Sequence, residues 1–412
     1  MTRDQQIVRE WALRYREKAL APEQETKRQL WAAHHSRKPT RPLVLATFGM
    51  WNVWCADCFG DHAMACEDPF YRSYERILRM ALFQDEVGDD SILEPWLTVQ
   101  AAVAGDWRAP WGLVSELGDA TQKGGARPFH PPIRDWSDAA AMRAIPHQVD
   151  EAETARRVER LADAVGDLLP IDVNRGPFYA GFAADISTFL ARLRGLNEIM
   201  LDMYEQPEAL HRVLAFMRDG ILANNRQAEA AGHYTLTCSH QQQPPYAEEL
   251  PRPRPNSEPV TRRQLWAFCA AQEFTLVSPA QHEEFLFQYQ RPILEPFGLV
   301  HYGCCEDLTE KIAMLRKLPN LRSIAVAPAA NLARCAEAIG RDYVISWRPN
   351  PTDMICASWD EDRVRRILRE GVHALRGTFF HVHLKDVETV QGEPDRLRRW
   401  TALARRVLED SF

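Results

Sequence analysis

The sequence predicts an α/β fold, a (β/α)8 TIM barrel with an N-terminal helical extension and long loop insertions. Short apolar segments alternate with amphipathic segments of helical length through most of the chain, a pattern typical of βαβ units and a parallel sheet. The chain has 412 residues, enough for one large barrel. No G-x-G-x-x-G or Walker sequence opens a helical segment, which makes a nucleotide-binding doubly wound sheet the weaker alternative.

The individual elements follow from the apolar period along the chain. Apolar residues three and four positions apart predict helices at 3–35 (one or two), 67–87, 151–167, 183–231 (two), 261–271, 279–296, 307–317, 329–339, 359–374 and 395–409. Short apolar runs predict strands at 41–48, 91–103, 168–174, 274–278, 298–303, 321–328, 343–349 and 379–384. We therefore divide the chain into an N-terminal helical segment, 1–40, and a barrel, 41–412.

Two long segments show no apolar period. Residues 104–147 are rich in Gly, Pro, Trp and Asp, and residues 238–260 are rich in Pro and Gln. Proline removes a backbone donor and interrupts regular structure, so both segments are predicted to be long loops. The second is a candidate lid.

Composition limits the classes of partner and the compartment. The net charge of -7 gives no basic footprint for nucleic acid, and no apolar run is long enough to span a membrane. The charged N-terminus lacks the apolar core of a signal peptide. Nine scattered cysteines are typical of a reducing compartment. We therefore expect a cytoplasmic protein that binds a small molecule.

Reactive residue types collect where the predicted strands end. Active sites of (β/α)8 barrels lie at the carboxyl ends of the strands. The residues there are Glu273, Ser278, His301, Cys304, Cys305, Glu306, Arg348, Asn350, His381, His383, Lys385 and Asp386, and Asp89 and Asp90 stand before an early strand. This set is denser than loops require, and it predicts a catalytic or binding site.

The cysteines and histidines of this set suggest a zinc (Zn2+) site, because zinc takes thiolate and imidazole ligands and a catalytic site keeps one position open. Residues three apart in a strand point to opposite faces, so His301 and Cys304 converge only if the strand ends or bulges at Gly303. His383 would supply a third ligand from another strand. The alternative is buried structural thiols beside a hydrogen-bonded histidine.

A second metal candidate lies in "CADCFGDHAMAC". Its Cys55, Cys58, His62 and Cys66 have the spacing C-x2-C-x3-H-x3-C, which is tighter than that of most structural zinc loops. A single C-x-x-C has several mundane explanations, so this motif does not decide function.

Several short motifs together resemble a known family. "HYGCCEDL", "NLRSIAVAP", "YVISWRPNP" and "LKDVETV" occur in the order seen in the uroporphyrinogen decarboxylase superfamily, and the resemblance extends from about Pro69 to the C-terminus. It is strongest to the decarboxylase-like branch related to zinc- and corrinoid-dependent methyltransferases. The N-terminal arginines with which true uroporphyrinogen decarboxylases hold substrate carboxylates are missing, since "TRPLVLATFGMWNVW" keeps only Arg41 and Pro42. This argues against uroporphyrinogen as the substrate.

The resemblance implies roles for particular residues. In the related methyltransferases a His-x-Cys motif and a later cysteine hold zinc; the matching positions here are His301 with Cys304 or Cys305, and His383 or His381 in place of the later cysteine. Glu306 and Glu273 would orient ligands or accept a proton. Substrate would be bound by Arg348, Lys385, Asn350 and Ser278, and the cleft walled by Trp51, Trp54, Trp107 and Trp111.

The resemblance therefore implies a zinc-dependent methyltransferase or demethylase that moves a methyl group between a small substrate and a thiol or a corrinoid carried by a partner protein. A decarboxylase or lyase that uses Asp89 or Asp90 as a general acid without metal is one alternative. A non-catalytic ligand-binding barrel is another, because a fold does not transmit an activity. A homodimer is an assembly that the sequence leaves open.

Overall fold

A six-stranded parallel sheet forms the centre of the computed structural model, which describes residues 1–48, 58–119, 127–387 and 389–411. The strand order is β1-β12-β11-β10-β9-β8. These strands are β1 (Leu43–Phe48), β8 (Trp266–Cys269), β9 (Leu299–Tyr302), β10 (Leu321–Val326), β11 (Val344–Trp347) and β12 (Phe379–Val387). Strands β8 to β11 are buried on both faces, as parallel strands covered by helices usually are.

A separate parallel pair, β2 (Leu97–Gln100) with β7 (Ile171–Asn174), supplies two further strands. Two short antiparallel pairs lie at and within the 104–147 insertion: β3 (Ala102–Val103) with β6 (Val149–Asp150) flanks it, and β4 (Glu116–Leu117) with β5 (Phe129–His130) lies inside it. The fold is thus α/β with a curled six-stranded parallel sheet. Among the described residues, hydrogen bonds do not close the eight parallel strands into the predicted complete barrel.

Helices follow most strands and begin at residues suited to helix starts. Asp68, Asp150 and Asp360 accept backbone N–H groups as N-caps. The α-helices are α1 (Arg3–Ala19), α2 (Pro22–His35), α3 (Pro69–Val87), α4 (Glu151–Val165), α5 (Ser187–Arg194), α6 (Leu196–Glu205), α7 (Pro207–Ala230), α8 (Pro279–His282), α9 (Gln288–Leu294), α10 (Ile312–Leu315), α11 (Leu332–Ile339), α12 (Glu361–Ala374) and α13 (Asp395–Glu409). A π-helical turn, Glu283–Phe287, joins α8 to α9.

The two N-terminal helices pack on different surfaces. α1 shares an apolar cluster with α3 and α4. α2 lies on the face of the sheet that carries Leu43, Leu45 and His381, which we call the inner face. There Trp31 is fully buried, and its Nε1 donates to the carbonyl of Asp90 at 2.7 Å. The predicted N-terminal helical segment is thus part of the packing that surrounds the sheet.

The sequence prediction fails around β8. Residues 261–271 were expected to be a helix and 274–278 a strand, but Trp266–Cys269 forms the strand between two short 3-10 turns, Arg262–Gln264 and Gln272–Phe274. A strand of four buried residues has no alternation that distinguishes it from a buried helical turn. The predicted strand 91–103 is likewise shorter, only β2 and β3 being formed.

The 238–260 segment contains neither helix nor strand, as its proline content predicted. Its Gln242 and Gln243 reach the inner face, where they hydrogen-bond Arg348 and Ser346. Among the described residues, no helix combines the length and the apolar character needed to cross a bilayer.

Candidate functional site

The site is built around the turn that follows β9. Gly303 has φ 103°, so the backbone angle favours glycine, and a Cβ there would lie 2.8 Å from Cδ1 of Leu308, which would have to shift. The strand therefore ends at Tyr302, which is the break at Gly303 that convergence of His301 and Cys304 requires. The turn directs Cys304 into a buried position beside Phe268 and Ala270.

Three side chains contact the sulfur of Cys304. Nε2 of Gln242 donates to it at 3.4 Å, Nζ of Lys385 donates at 3.5 Å, and Sγ of Cys305 lies at 3.5 Å. Arg348 adds a second cation, since its guanidinium donates to the carbonyl oxygen of Cys304 and to Oε1 of Gln242. Donors and cations thus converge on a single thiol.

These neighbours shift the pKa values of the two cysteine thiols in opposite directions. Contact with the Cys305 thiol and the positive charges of Arg348 and Lys385 lower the pKa of Cys304, against the opposing effect of burial. The Cys304 sulfur, burial and the Asp386 carboxylate raise the pKa of Cys305. Cys304 is therefore the more acidic thiol of the pair.

An irregularity at the end of β12 brings Lys385 and Asp386 to the same side. Pairing with β1 shifts register after Ala46, and Asp386 has φ 57°, the left-handed region that non-glycine residues rarely occupy. Adjacent residues of a regular strand point to opposite faces. Here Nζ of Lys385 lies 2.6 Å from Oδ1 of Asp386, and Sγ of Cys305 donates to Oδ2 at 3.3 Å.

Glu306 fixes the Cys304 turn to the neighbouring strand. Its carboxylate is buried and accepts the backbone N–H of Cys304 and that of Ala271, each at 2.8 Å. Burial raises the pKa of Glu306 although these backbone donors favour the charged form. Glu306 thus lies beside Cys304, and it orients Cys304 through the backbone.

The predicted histidine ligands lie on the inner face, but one ring nitrogen of each already has another partner. Nε2 of His301 lies 3.3 Å from the guanidinium of Arg348, and Nε2 of His383 lies 2.8 Å from Oγ1 of Thr47. Nδ1 of His381 contacts Nε2 of His34 at 3.1 Å. Burial, and after it nearby charged or histidine groups, hold the pKa of these buried histidines well below the ordinary value, so they are neutral.

As arranged here, these residues do not fit a zinc ion. Nowhere in the described ranges do three or more His, Cys, Asp or Glu side chains stand where they could hold a metal. The Lys385 ammonium lies between Cys304 and Asp386, the position that a cation shared by these groups would take. Nδ1 of His301 and Nδ1 of His383 are buried and without a hydrogen-bond partner, so both nitrogens on the inner face remain available to a ligand.

Four predicted site residues lie elsewhere. Oε2 of Glu273 accepts from Ser187, Ser278 caps the N-terminus of α8, and exposed Asn350 accepts the backbone N–H of Thr352. Asp90 lies against the amino-terminal part of β1, where it accepts the N–H of Val44 and pairs with Arg41 and Arg405. These contacts indicate capping and structural roles, and a general acid at Asp90 would lie away from the Cys304 turn.

The other predicted features are divided between described and undescribed residues. Cys55, Trp51 and Trp54 lie outside the described residues. Cys66 is buried, and its Sγ lies 3.7 Å from the backbone oxygen of Asp4 in α1. Trp111 stacks on Tyr179 inside the main core and so is not a cleft wall, whereas Trp107 is 55% exposed.

Sequence reasoning missed two residues that contact the site. Gln242 comes from the irregular loop, and no sequence pattern distinguishes it from its neighbours Gln241 and Gln243. Thr47 is a strand residue whose hydroxyl meets His383 only because β1 and β12 are adjacent. Asp386 was noted at a strand end without a role, and its left-handed backbone is invisible in the sequence.

Comparison with known proteins gives a fold relationship. No protein-family model and no curated protein matches the sequence. Among solved structures, a methyltransferase from Methanosarcina mazei is similar, with a TM-score of 0.53, 12% sequence identity, and coverage of 92% of this chain and 98% of that chain. At this identity the likeness shows a shared fold, which extends over nearly the whole of both chains. Fold alone does not carry an activity.

Proposed function

We propose that the protein is a methyltransferase in which the Cys304 thiolate accepts a methyl group from a small substrate. The observation that carries the proposal is the Cys304 sulfur held between the Lys385 ammonium and the amide of Gln242, with Arg348 on its carbonyl oxygen. The fold shared with a methyltransferase supports it. So do the motifs that resemble the methyltransferase branch of the uroporphyrinogen decarboxylase superfamily.

The proposed step is a displacement at carbon. The Cys304 thiolate attacks the substrate methyl carbon, an S–C bond forms, and the bond from that carbon to its oxygen, nitrogen or sulfur breaks with the electron pair on the departing atom. Lys385 supplies the proton that the departing group takes up. A second nucleophile then attacks the same carbon and releases Cys304 as thiolate. The thiol or corrinoid partner predicted from the sequence would provide that nucleophile.

A bound zinc ion remains a prediction from the family resemblance. It would be held by Nδ1 of His301 and Nδ1 of His383, which are buried and without a hydrogen-bond partner, because their Nε2 atoms contact Arg348 and Thr47. Metal analysis of native protein beside Cys304→Ala, Cys305→Ala and His383→Ala tests it. Stoichiometric zinc that these changes remove would support the metal-dependent version of the reaction. Full zinc in all three would exclude these residues as ligands.

The first prediction tests the methyl-accepting role of Cys304. Wild-type protein incubated with a panel of methyl ethers, methylamines and methyl thioethers, without an acceptor, should gain one methyl group on Cys304 from a substrate in the panel, as peptide mass spectrometry would detect. Cys304→Ser should lose this transfer, because a hydroxyl at the same position is not ionised at neutral pH.

Cys335→Ser is the matched control. Cys335 is a buried thiol in α11 whose Sγ contacts Thr309, away from the site, so its replacement should leave transfer unchanged. Transfer that persists in Cys304→Ser, or label found on another residue, would overturn the proposal.

A further inference from the structure

Three features of the site are not used by methyl transfer to Cys304. Cys305 presents a second sulfur 3.5 Å from the first, and it is exposed where Cys304 is buried. Asp386 accepts from Cys305 at 3.3 Å. The backbone of Asp386 is held in the left-handed region, a conformation that persists only where the surroundings impose it. Together they describe a thiol pair with a proton acceptor on its outer member.

We propose that Cys304 and Cys305 react together with small disulfides and form a reversible vicinal disulfide. A disulfide would make the Cys304 sulfur unable to accept a methyl group, and this consequence rests on the proposed function. As thiol chemistry it stands on the geometry of Cys304, Cys305 and Asp386 alone.

The reaction has two exchange steps. The Cys304 thiolate attacks one sulfur of the small disulfide, its S–S bond breaks, and one thiolate leaves, which gives a mixed disulfide on Cys304. Cys305 then passes its proton to Asp386 and attacks the Cys304 sulfur, and the second small thiolate leaves. One leaving thiolate takes the Cys305 proton from Asp386, and the other takes from water the proton that Cys304 gave up when it ionised. The balance is then that two protein thiols and one small disulfide become one protein disulfide and two small thiols.

The position of each group suits its step. The two cations beside Cys304, Lys385 and Arg348, favour the attacking thiolate. Cys305 is already in van der Waals contact with the sulfur that it must attack. Asp386 touches Cys305 rather than Cys304, so its carboxylate is placed to assist the second step.

The bond should be easily reduced. Neighbouring Cα atoms are about 3.8 Å apart, whereas disulfides commonly span about 4.4 to 6.8 Å, so a bond between adjacent cysteines is strained. Strained and accessible disulfides are the labile ones. The pair is therefore suited to reversible oxidation and gives little structural cross-linking.

The test uses the full-length protein with oxidised glutathione as the probe. Alkylation followed by peptide mass spectrometry should show the peptide with both cysteines losing two hydrogens and resisting alkylation until dithiothreitol is added. Cys305→Ser should stop at the mixed disulfide, with glutathione on Cys304. Asp386→Asn should still form the mixed disulfide but close the vicinal bond more slowly, by about 100-fold if the carboxylate acts as the proton acceptor.

Wild-type protein that stops at the mixed disulfide, or remains fully alkylatable, would overturn the proposal. Asp386→Asn that closes as fast as wild type would remove Asp386 from it. Disulfide formation is detected by peptide mass and does not require methyl transfer. Failure of the methyl-transfer assay would therefore not affect the disulfide result. Conversely, methyl transfer to Cys304 without disulfide formation would reject only the paired chemistry. If both hold, oxidised protein should lose methyl transfer and regain it with dithiothreitol.

Discussion

At Cys304 two cations and an amide act against the cost of burying a thiolate. Arg348 is itself buried and fixed by the carbonyl of Cys304 and by Gln242, whereas Lys385 touches the sulfur directly. Charges at such short range, partly shielded from water, shift a pKa more than exposed pairs do. The reactivity of Cys304 should therefore depend on Lys385.

Lys385→Gln should raise the pKa of Cys304, because the substitution removes a positive charge that stabilises the thiolate. The rate of Cys304 alkylation by iodoacetamide, followed by peptide mass spectrometry across pH, should have its midpoint at higher pH than in wild type. Each unit of that shift lowers the rate by roughly 10-fold at pH values below the wild-type midpoint, where the thiol form dominates.

Lys317→Gln is the control, since Lys317 forms an exposed pair with Glu283 away from the site. An unchanged midpoint in Lys385→Gln would mean that the lysine does not stabilise the thiolate.

The site residues differ in how far sequence could reveal them. Cys304, Cys305, Glu306, Arg348 and Lys385 follow or end strands, and the rule that active residues stand at strand ends located them. The same rule selected Ser278 and Asn350, which cap local backbone. Residues that cap a helix and residues that bind a ligand are of the same types and stand at the same positions. Only the direction of the side chain, which the sequence does not show, distinguishes the two roles.

At the scale of elements, the end of β12 determines whether the site is complete. A regular strand would carry Lys385 and Asp386 to opposite faces, and the register shift against β1 is what brings both to the cysteines. Gly303 ends β9 and so directs Cys304 into the site. Its role could be predicted from sequence because glycine is the residue that most readily adopts a positive φ. Asp386 gives no such signal, and β8 was missed because four buried residues carry no period.

The left-handed backbone at Asp386 leads to a prediction about stability. Asn tolerates this conformation almost as well as Asp, whereas Ala pays a steric cost there. Asp386→Ala should therefore have a free energy of unfolding about 1 kcal/mol lower than Asp386→Asn, measured by urea denaturation. Comparing the two variants cancels the loss of the carboxylate, which both share. Equal stabilities would show that position 386 is not held in the left-handed region in solution.

At the scale of the whole molecule, the last helix meets the first sheet strand at the amino-terminal part of β1. Asp90 there accepts the N–H of Val44 and pairs with Arg41 before the strand and Arg405 in α13. The chain thus joins its first sheet strand and its last helix through one buried carboxylate. The sequence places Asp90 near an early strand, but it does not show that its partners are far apart in the chain.

The ionisation of Asp90 should therefore make the free energy of unfolding depend on pH in the acid range. Burial alone would raise the pKa of Asp90, but the hydrogen bond from Arg41 and the charges of Arg405 and Arg41 outweigh burial, so the folded-state pKa lies below its ordinary value. For a lowered pKa, the stabilisation is complete above the unfolded value, about 4, and disappears as pH falls through the folded value. Asp90→Asn should consequently be less stable than wild type at neutral pH, with the difference shrinking below about pH 4.

Urea denaturation of wild type and Asp90→Asn at a series of pH values measures this difference. Asp219→Asn is the control, because Asp219 is exposed beside Arg218 and its replacement should change stability little at any pH. A difference between wild type and Asp90→Asn that stays constant from neutral to acid pH would mean that packing or hydrogen bonding at Asp90, and not its charge, joins the strand and the helix. A difference that grows in acid would contradict the lowered pKa itself, because only a carboxyl group that prefers to be protonated in the folded state gains stability as the pH falls.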